Sequence, residues 1–223
     1  VIEPFAGAAG YACRYPHKQV VLVDRSPIIA GIWRYLTSVS PAEVLRLPDL
    51  PEGGSVDDLP AWVPQEARWL VGFWCNNATV TPCKRPSSWV LEKRTPTAGW
   101  GAAVRDRIAR QVPQVAHWRI IEGEYSDAPE VAATWYVDPP YNNKAGSYYP
   151  EQVESYEHLA LWARSRPGLV IVCENAGADW LPFRALAAIQ SNPTKRGKKQ
   201  SHEVIWTNRT PLLADGGQAV FGW

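Results

Sequence analysis

The four residues Asp138-Pro139-Pro140-Tyr141 combine groups that could hold a planar ring bearing an exocyclic amine. Two consecutive prolines fix the backbone and lack N–H donors, so the turn is stiff and presents free carbonyl oxygens. Asp138 and the carbonyl of Pro139 can each accept one N–H of the amine, while Tyr141 stacks on the ring. The same letters can form a bare turn, but the apolar residues before them and the aromatic residue after them favour a site.

A second candidate is the small-residue turn Glu3-Pro4-Phe5-Ala6-Gly7-Ala8-Ala9-Gly10, where the backbone can approach a ligand closely. Asp24 ends the next apolar run, at the place where doubly wound folds carry an acid for a ribose diol. The chain lacks the GxGxxG and Lys-Ser/Thr signatures of a pyrophosphate loop. A nucleoside without pyrophosphate, such as S-adenosylmethionine, therefore fits this turn better than NAD or ATP.

Short apolar runs alternate with helical patterns in the elements that must position these residues. The predicted strands cover residues 1–2, 20–24, 134–138, 168–173, 203–207 and 218–221, and the predicted helices cover 26–38, 102–111 and 151–164. This alternation predicts an α/β fold with a largely parallel, doubly wound sheet, helices on both faces and a site at the carboxyl ends of the strands. Residues 48–66 are rich in Pro, Gly and Asp, and the weakly periodic segment after them indicates an inserted module.

The composition excludes several classes of protein. A hydrophobic content of 46% supports a folded core, and no apolar run approaches the ~18 residues that a membrane span requires. The first ten residues show no signal-peptide pattern. The four Cys contain no CxxC pair, so we expect neither a disulfide framework nor a metal site, and we expect a reducing, cytoplasmic compartment.

Charge is distributed unevenly along the chain, although the formal net charge is only +1. Residues 67–119 carry nine Lys/Arg against two acids, and residues 195–209 carry five against one. Residues 51–66 and 120–194 are acidic, with net charges of −4 and −6. One basic segment could be a solvated face, but two of them around an acidic, catalytic-looking segment indicate a polyanionic partner.

The order of three motifs resembles that of the Dam-type family of DNA adenine-N6 methyltransferases of bacteria and phages: EPFAG at 3–7, VDRSP at 23–27 and DPPY at 138–141. The likeness spans nearly the whole chain, and DPPY is its most specific part. It implies a Rossmann-like class I methyltransferase fold. The catalytic domain would comprise residues 1–48 and 119–223, and residues 49–118 would form a target-recognition module.

The resemblance also implies roles for particular residues. Glu3 to Ala8 would line the methionine part of S-adenosylmethionine, and Asp24 would bind its ribose. Arg25 and Asp138 would also contact the cofactor. Glu124 and Tyr125 look like the family's acidic-aromatic motif beside the cofactor adenine. The turn from Asp138 to Tyr141 would hold the flipped target adenine. Two features depart from the family pattern: its Lys-containing motif upstream of EPF is absent from the sequence, and Glu124 stands where Asp is commoner.

The expected partner is double-stranded DNA, bound by a monomer or a weak dimer without a metal ion. Basic residues would contact phosphates, which set affinity and register but carry no sequence information. Asn76 and its neighbour Asn77 could read an adenine edge, or they could equally form a turn. The candidate DNA-contacting residues are Asn76, Lys84, Arg85, Arg94, Arg105, Lys195, Arg196, Lys198 and Lys199.

Three other functions remain open from the residues alone. The acceptor could be N4 of cytosine or a base in RNA, since the amines are chemically similar, although motif order and the EPF spelling favour adenine. The chain could be a catalytically silent relative that binds DNA. A Rossmann oxidoreductase fits less well because the pyrophosphate loop is absent.

Overall fold

The computed structural model describes the backbone of residues 1–76, 79–92, 98–144, 146–190, 200–209, 212–213 and 219–220. Side chains are described over the same ranges except at 186–190, 200–201, 212–213 and 219–220.

Seven strands form one mixed sheet in the order β3-β2-β1-β4-β5-β7-β6. Strands β1 to β5 all run parallel to one another. Strand β7 runs antiparallel to both of its neighbours, β5 and β6. Two further strands, β8 and β9, form a separate antiparallel pair. The strands are β1 Ile2–Glu3, β2 Val21–Asp24, β3 Arg119–Glu122, β4 Ala133–Val137, β5 Gly168–Asn175, β6 Arg184–Gln190, β7 Gln200–Thr207, β8 Leu212–Leu213 and β9 Ala219–Val220.

In the part of the chain that the structure describes, six α-helices connect or cover these strands, and serine residues cap several of them. The hydroxyl oxygens of Ser26, Ser40 and Ser155 accept backbone N–H bonds at the starts of α1, α2 and α6, which satisfies donors that a helix leaves unpaired. The helices are α1 Pro27–Ser38, α2 Pro41–Arg46, α3 Gln65–Trp74, α4 Ser88–Glu92, α5 Ala102–Val115 and α6 Tyr156–Ser165. Within the described ranges, none of them is long and apolar enough to cross a membrane.

The inner parallel strands β1, β2, β4 and β5 are largely buried, as their apolar runs predict, whereas both end residues of β3 are exposed. Alternate residues of β2 point to opposite faces, so Val23 packs in one cluster with Leu159 and Trp162 of α6. Leu22 packs in another cluster with Trp33 of α1 and Trp118, which follows α5. Helices therefore cover both faces of the sheet.

The α/β class expected from the sequence is confirmed, but several elements were missed or placed wrongly. The sequence patterns did not indicate β3, β6, α2 or α3. The helix predicted over 151–164 was wrong in its first turn, because Ser155 caps the helix and α6 begins at Tyr156. The strand predicted from residue 203 begins earlier, because residues 200–202 also belong to β7.

The segment between α2 and β3 packs against the first helices of the chain. Residues of α3 and α5, such as Leu70 and Ile108, share a buried cluster with Ile32 of α1 and Val44 of α2. One guanidinium organises the loop before α3: Arg68 donates to four backbone carbonyl oxygens at 2.7 to 3.1 Å. These acceptors belong to Val56, Leu59, Pro60 and Val63.

We expect Arg68→Met to lower the free energy of unfolding by roughly 2–3 kcal/mol, because it leaves partly buried carbonyls without their donor. Urea titration followed by circular dichroism measures this loss. The matched control is Arg110→Met, a change at an exposed residue of α5 that should stay within about 0.5 kcal/mol. Equal effects of the two substitutions would contradict the role given to Arg68.

Candidate active site

The candidate residues meet at the carboxyl ends of the central strands. Strand β1 ends at Glu3 and lies between β2, which ends at Asp24, and β4, after which Asp138 follows directly. After β1 the chain adds β2 and β3 on one side of the sheet, and after β4 it adds β5 on the other side. The direction in which strands are added therefore reverses between β1 and β4. In doubly wound sheets, ligands bind in the crevice at this point of reversal.

The loop after β1 is held by the end of β2 and by α1. The N–H of Gly7 donates to Asp24 Oδ2 at 2.9 Å, and the indole N–H of Trp33 donates to the Gly7 carbonyl oxygen at 2.9 Å. Asp24 Oδ1 accepts the N–H of Ser26 at 2.9 Å. Gly7 has φ +45°, which disfavours other residues, and a Cβ built there meets no atom within 4 Å. The loop therefore leaves open space beside an ordered backbone.

Glu3 is a buried carboxyl below this loop. It is 1% exposed, and its Oε1 accepts the N–H of Ala12 at 2.5 Å. Burial raises the pKa of Glu3 to about 8, and the nearby charge of Asp138 adds to the increase against the opposing Ala12 hydrogen bond. Glu3 and Asp138, although 135 positions apart in sequence, are thus electrostatic neighbours across β1 and β4.

One side of the site is an aromatic wall backed by an ion-pair network. Phe5 and Tyr125 stack with ring centroids 5.4 Å apart, and the Tyr125 hydroxyl lies 2.6 Å from Nδ1 of His158. Arg25 Nε lies 2.9 Å from Oε1 of Glu124. Glu151 and Glu154 also contact this guanidinium, at 3.5 Å. All four charged side chains are at least two-fifths exposed, so the network orders the segments without adding much stability.

Asp138 is exposed as a residue, but neighbouring protein atoms partly desolvate its carboxyl. This desolvation raises the pKa of Asp138 to about 6. The charges of Glu203 and Glu174 raise the pKa further, while the Tyr141 hydroxyl opposes the increase. In the part of the chain that the structure describes, no donor lies within hydrogen-bond distance of the Pro139 carbonyl oxygen. The Asp138 carboxylate and this carbonyl are thus acceptors on consecutive residues of the chain.

Three neighbouring elements clamp the Asp138–Tyr141 turn. From α6, the Tyr156 hydroxyl donates to the Pro140 carbonyl oxygen at 2.5 Å. From β7, Glu203 Oε2 accepts the Tyr141 hydroxyl at 2.9 Å. From β5, Glu174 Oε2 accepts the N–H of Asn142 at 3.0 Å. The turn is thus held at both its backbone and its aromatic ring.

The following segment folds back onto the same turn. Asn143 donates its N–H to the Tyr141 carbonyl oxygen at 2.7 Å, and a Cβ built at Gly146 would lie 1.9 Å from that oxygen. The side-chain amide of Gln152 donates to the carbonyls of Gly146 and Tyr149. Only glycine therefore fits at position 146.

Sequence reasoning missed several residues of this site. Glu174 carried the same signal as Asp24 and Asp138, an acid at the end of a buried apolar run, and could have been found. Glu203 and Tyr156 carried no local signal, because pairing of distant strands and packing of α6 bring them to the turn.

Each described basic candidate for DNA contact has a partner within the chain. Lys84 Nζ lies 2.6 Å from Asp57 Oδ2, and Arg85 donates to the Gly53 carbonyl at 2.9 Å. Arg105 is only 12% exposed at its side chain and pairs with Asp49. Asn76 is half-buried. The others, Arg94, Lys195, Arg196, Lys198 and Lys199, together with Asn77, lie outside the described residues.

No protein-family model matches the chain. No curated protein is significantly similar to it in sequence.

Activity that depends on ionised Asp138 should fall as the pH drops below about 6, because the protonated carboxyl accepts hydrogen bonds poorly from an amine. The expected acid limb has a slope approaching tenfold per pH unit in kcat/KM, which reports the unliganded protein. A pH–rate profile measured between pH 4.5 and 8 in constant ionic strength checks this. A limb centred at the ordinary Asp value near 4 would show that burial and the surrounding carboxyls do not raise the pKa of Asp138.

Proposed function

We propose that the chain is an S-adenosylmethionine-dependent DNA methyltransferase that acts on N6 of an adenine flipped out of the duplex. One observation carries the proposal: the loop after β1 and the Asp138–Tyr141 turn after β4 lie side by side where the strand order reverses. A loop suited to a nucleoside thus adjoins a stiff turn suited to an aromatic amine. The resemblance to the Dam-type family, in EPFAG, VDRSP and DPPY, supports the same reading.

The residues of the first loop fit S-adenosylmethionine. A carboxylate has about four acceptor positions, so Asp24 can bind ribose hydroxyls while it keeps its two backbone partners. The Phe5–Tyr125 wall suits the cofactor adenine, and the open side of Gly7 leaves room for the ligand. Nearby carboxyls such as Glu3 and Asp138 favour a ligand that carries positive charge.

When bound, the cofactor supplies a methyl group on a sulfonium sulfur, which makes that carbon a strong electrophile. The N6–methyl bond forms as the sulfur–methyl bond breaks, with the electron pair remaining on sulfur, and N6 then loses one proton to water. The chain's contribution is alignment for this in-line displacement.

Asp138 and Pro139 act on the amine, whose lone pair is delocalised into the adenine ring. Hydrogen bonds from both N6 protons to the Asp138 carboxylate and the Pro139 carbonyl favour a pyramidal nitrogen and stabilise the positive charge that develops on it. Base extrusion costs a few kcal/mol, which stacking on the Tyr141 ring partly offsets.

We further propose that the sheet is of the Rossmann-like class I methyltransferase type and that residues 49–118 form the target-recognition module. The parallel strands in the order β3-β2-β1-β4-β5 support the first part. The net charge of +7 over residues 67–119 supports contact of this part of the chain with a polyanion. Lys84, 76% exposed at its side chain, and Arg85 are candidates for phosphate contacts, in exchange for their partners in the chain.

Transfer of labelled methyl groups from S-adenosylmethionine to unmethylated genomic duplex DNA, followed by nucleoside analysis, tests the proposal. N6-methyladenine is the expected product. N4-methylcytosine would keep the mechanism and change the target base. Absence of label in DNA, together with intact cofactor binding, would contradict the proposal and favour a DNA-binding relative without activity.

A further inference from the structure

We infer that Glu203, on the antiparallel strand β7, is a positioning residue for the proposed reaction. It holds the Tyr141 ring in place, and it accepts the hydrogen bond that the Tyr141 hydroxyl would otherwise donate to the Asp138 carboxylate. The inference rests on the proposed function. It assigns a role to a strand that follows the DPPY turn by about sixty residues and carries none of the motifs.

The first part of the inference concerns the ring. The backbone of Tyr141 is fixed by Asn143 and by the close approach of Gly146, but those contacts leave the side-chain torsions undetermined. The hydrogen bond from the Tyr141 hydroxyl to Glu203 Oε2, at 2.9 Å, restrains the far end of the ring. A stacking surface that is already oriented loses less conformational entropy when a base binds.

The second part concerns the single proton of the hydroxyl. The Tyr141 hydroxyl donates to Glu203 Oε2, and it also lowers the pKa of Asp138. One O–H can be donated fully to only one of them. While Glu203 takes it, the Asp138 carboxylate keeps its acceptor positions for the amine protons of the substrate. Without Glu203, the hydroxyl would turn to Asp138 and compete with the substrate.

The strand pairing explains why Glu203 can serve this purpose. Strand β7 lies beside β5, with Glu203 opposite Asn175 at the end of β5 where Glu174 also stands. Residue 203 is half-buried, and its pairing in β7 brings its carboxylate within hydrogen-bond distance of the Tyr141 hydroxyl.

Three substitutions separate these effects. Glu203→Leu removes both acceptor and charge, and we expect kcat to fall about tenfold or more while the Kd for S-adenosylmethionine stays within about threefold. Glu203→Gln keeps a carbonyl acceptor and should recover most of that kcat. Tyr141→Phe combined with Glu203→Leu removes the competing hydroxyl, so the double variant should be no slower than Glu203→Leu alone. Glu157→Leu, at an exposed position of α6, is the matched control.

The pH profile gives a readout that a merely structural role would not change. The charge of Glu203 raises the pKa of Asp138, so Glu203→Gln should move the acid limb of kcat/KM to lower pH. The other titratable groups facing Asp138 remain in place in this variant. They are Glu3, Tyr136, Tyr141, Tyr149, Cys173 and Glu174.

Two measurements are made on each variant: methyl transfer to unmethylated duplex DNA and thermal denaturation. Together they separate a loss of positioning from a loss of stability. Unchanged kcat in Glu203→Leu, or a double variant slower than Glu203→Leu alone, would overturn the inference while leaving the proposed function intact. A drop in kcat that tracks a drop in melting temperature, without rescue by Gln, would also overturn it. If the unaltered protein transfers no methyl group, the proposed function fails and the inference fails with it.

Discussion

Replacing Asp138 by Ala is expected to lower kcat for methyl transfer by about 10³-fold or more, while the affinity for S-adenosylmethionine stays within about tenfold. The carboxylate accepts a proton of the target amine and faces the charge that develops on nitrogen, so its contribution is made mainly in the transition state. The proposed cofactor contacts on Glu3, Gly7 and Asp24 remain in this variant. The loss should therefore appear in turnover and much less in cofactor binding.

Single-turnover kinetics and equilibrium cofactor binding, measured on the same preparation, test this expectation. Asp179→Ala is a matched control, since Asp179 is an exposed acid outside the turn. Asp138→Asn retains the shape and one acceptor but removes the charge, and it should fall between the Ala variant and the unaltered protein. Full turnover in Asp138→Ala would exclude the mechanism.

Gly146→Ala is expected to reduce kcat about a hundredfold, although the residue carries no chemistry. An added Cβ would lie 1.9 Å from the carbonyl oxygen and 2.7 Å from the nitrogen of Tyr141. Both contacts are with backbone, so the turn itself would have to move. A displacement of about 1 Å at the reacting centre can cost 10²-fold in rate.

Gly101→Ala is the control for the effect of adding a methyl group, because the backbone there is extended and a Cβ meets no atom within 4 Å. Turnover and thermal unfolding are compared for the two variants. We expect Gly146→Ala to lose turnover in excess of any loss of stability. If both variants keep full turnover, the turn is not held by the segment that follows it.

Much of the site could be predicted because its signals are local. Asp24 and Asp138 end continuous apolar runs, and buried parallel strands are read from such runs without tertiary information. Ser26 followed by Pro27 indicated the start of α1, since a capping hydroxyl and a proline at the first helical position suit only that place.

What could not be predicted depends on distant parts of the chain. Strand β3 runs along the sheet with its end residues Arg119 and Glu122 exposed, so it lacks the continuous apolar run that marked the inner strands. Helix α2 has only six residues and depends on its capping box at Ser40. Glu203 reaches Tyr141 only because β7 adds to the sheet beside β5.

The buried carboxyls also link the stability of the protein to protons. The pKa values of Glu3 and Asp138 rise from 4.5 and 3.8 to about 8 and 6 in the folded chain, so folding favours their protonated forms. Their contribution to stability is therefore complete below about pH 4 and is lost as the pH rises through 6 and then 8. The free energy of unfolding is therefore lower in the pH range where Asp138 is ionised than in the range where it is protonated. A cation bound beside these groups would lower both pKa values, so ligand binding would release protons and tighten as the pH rises.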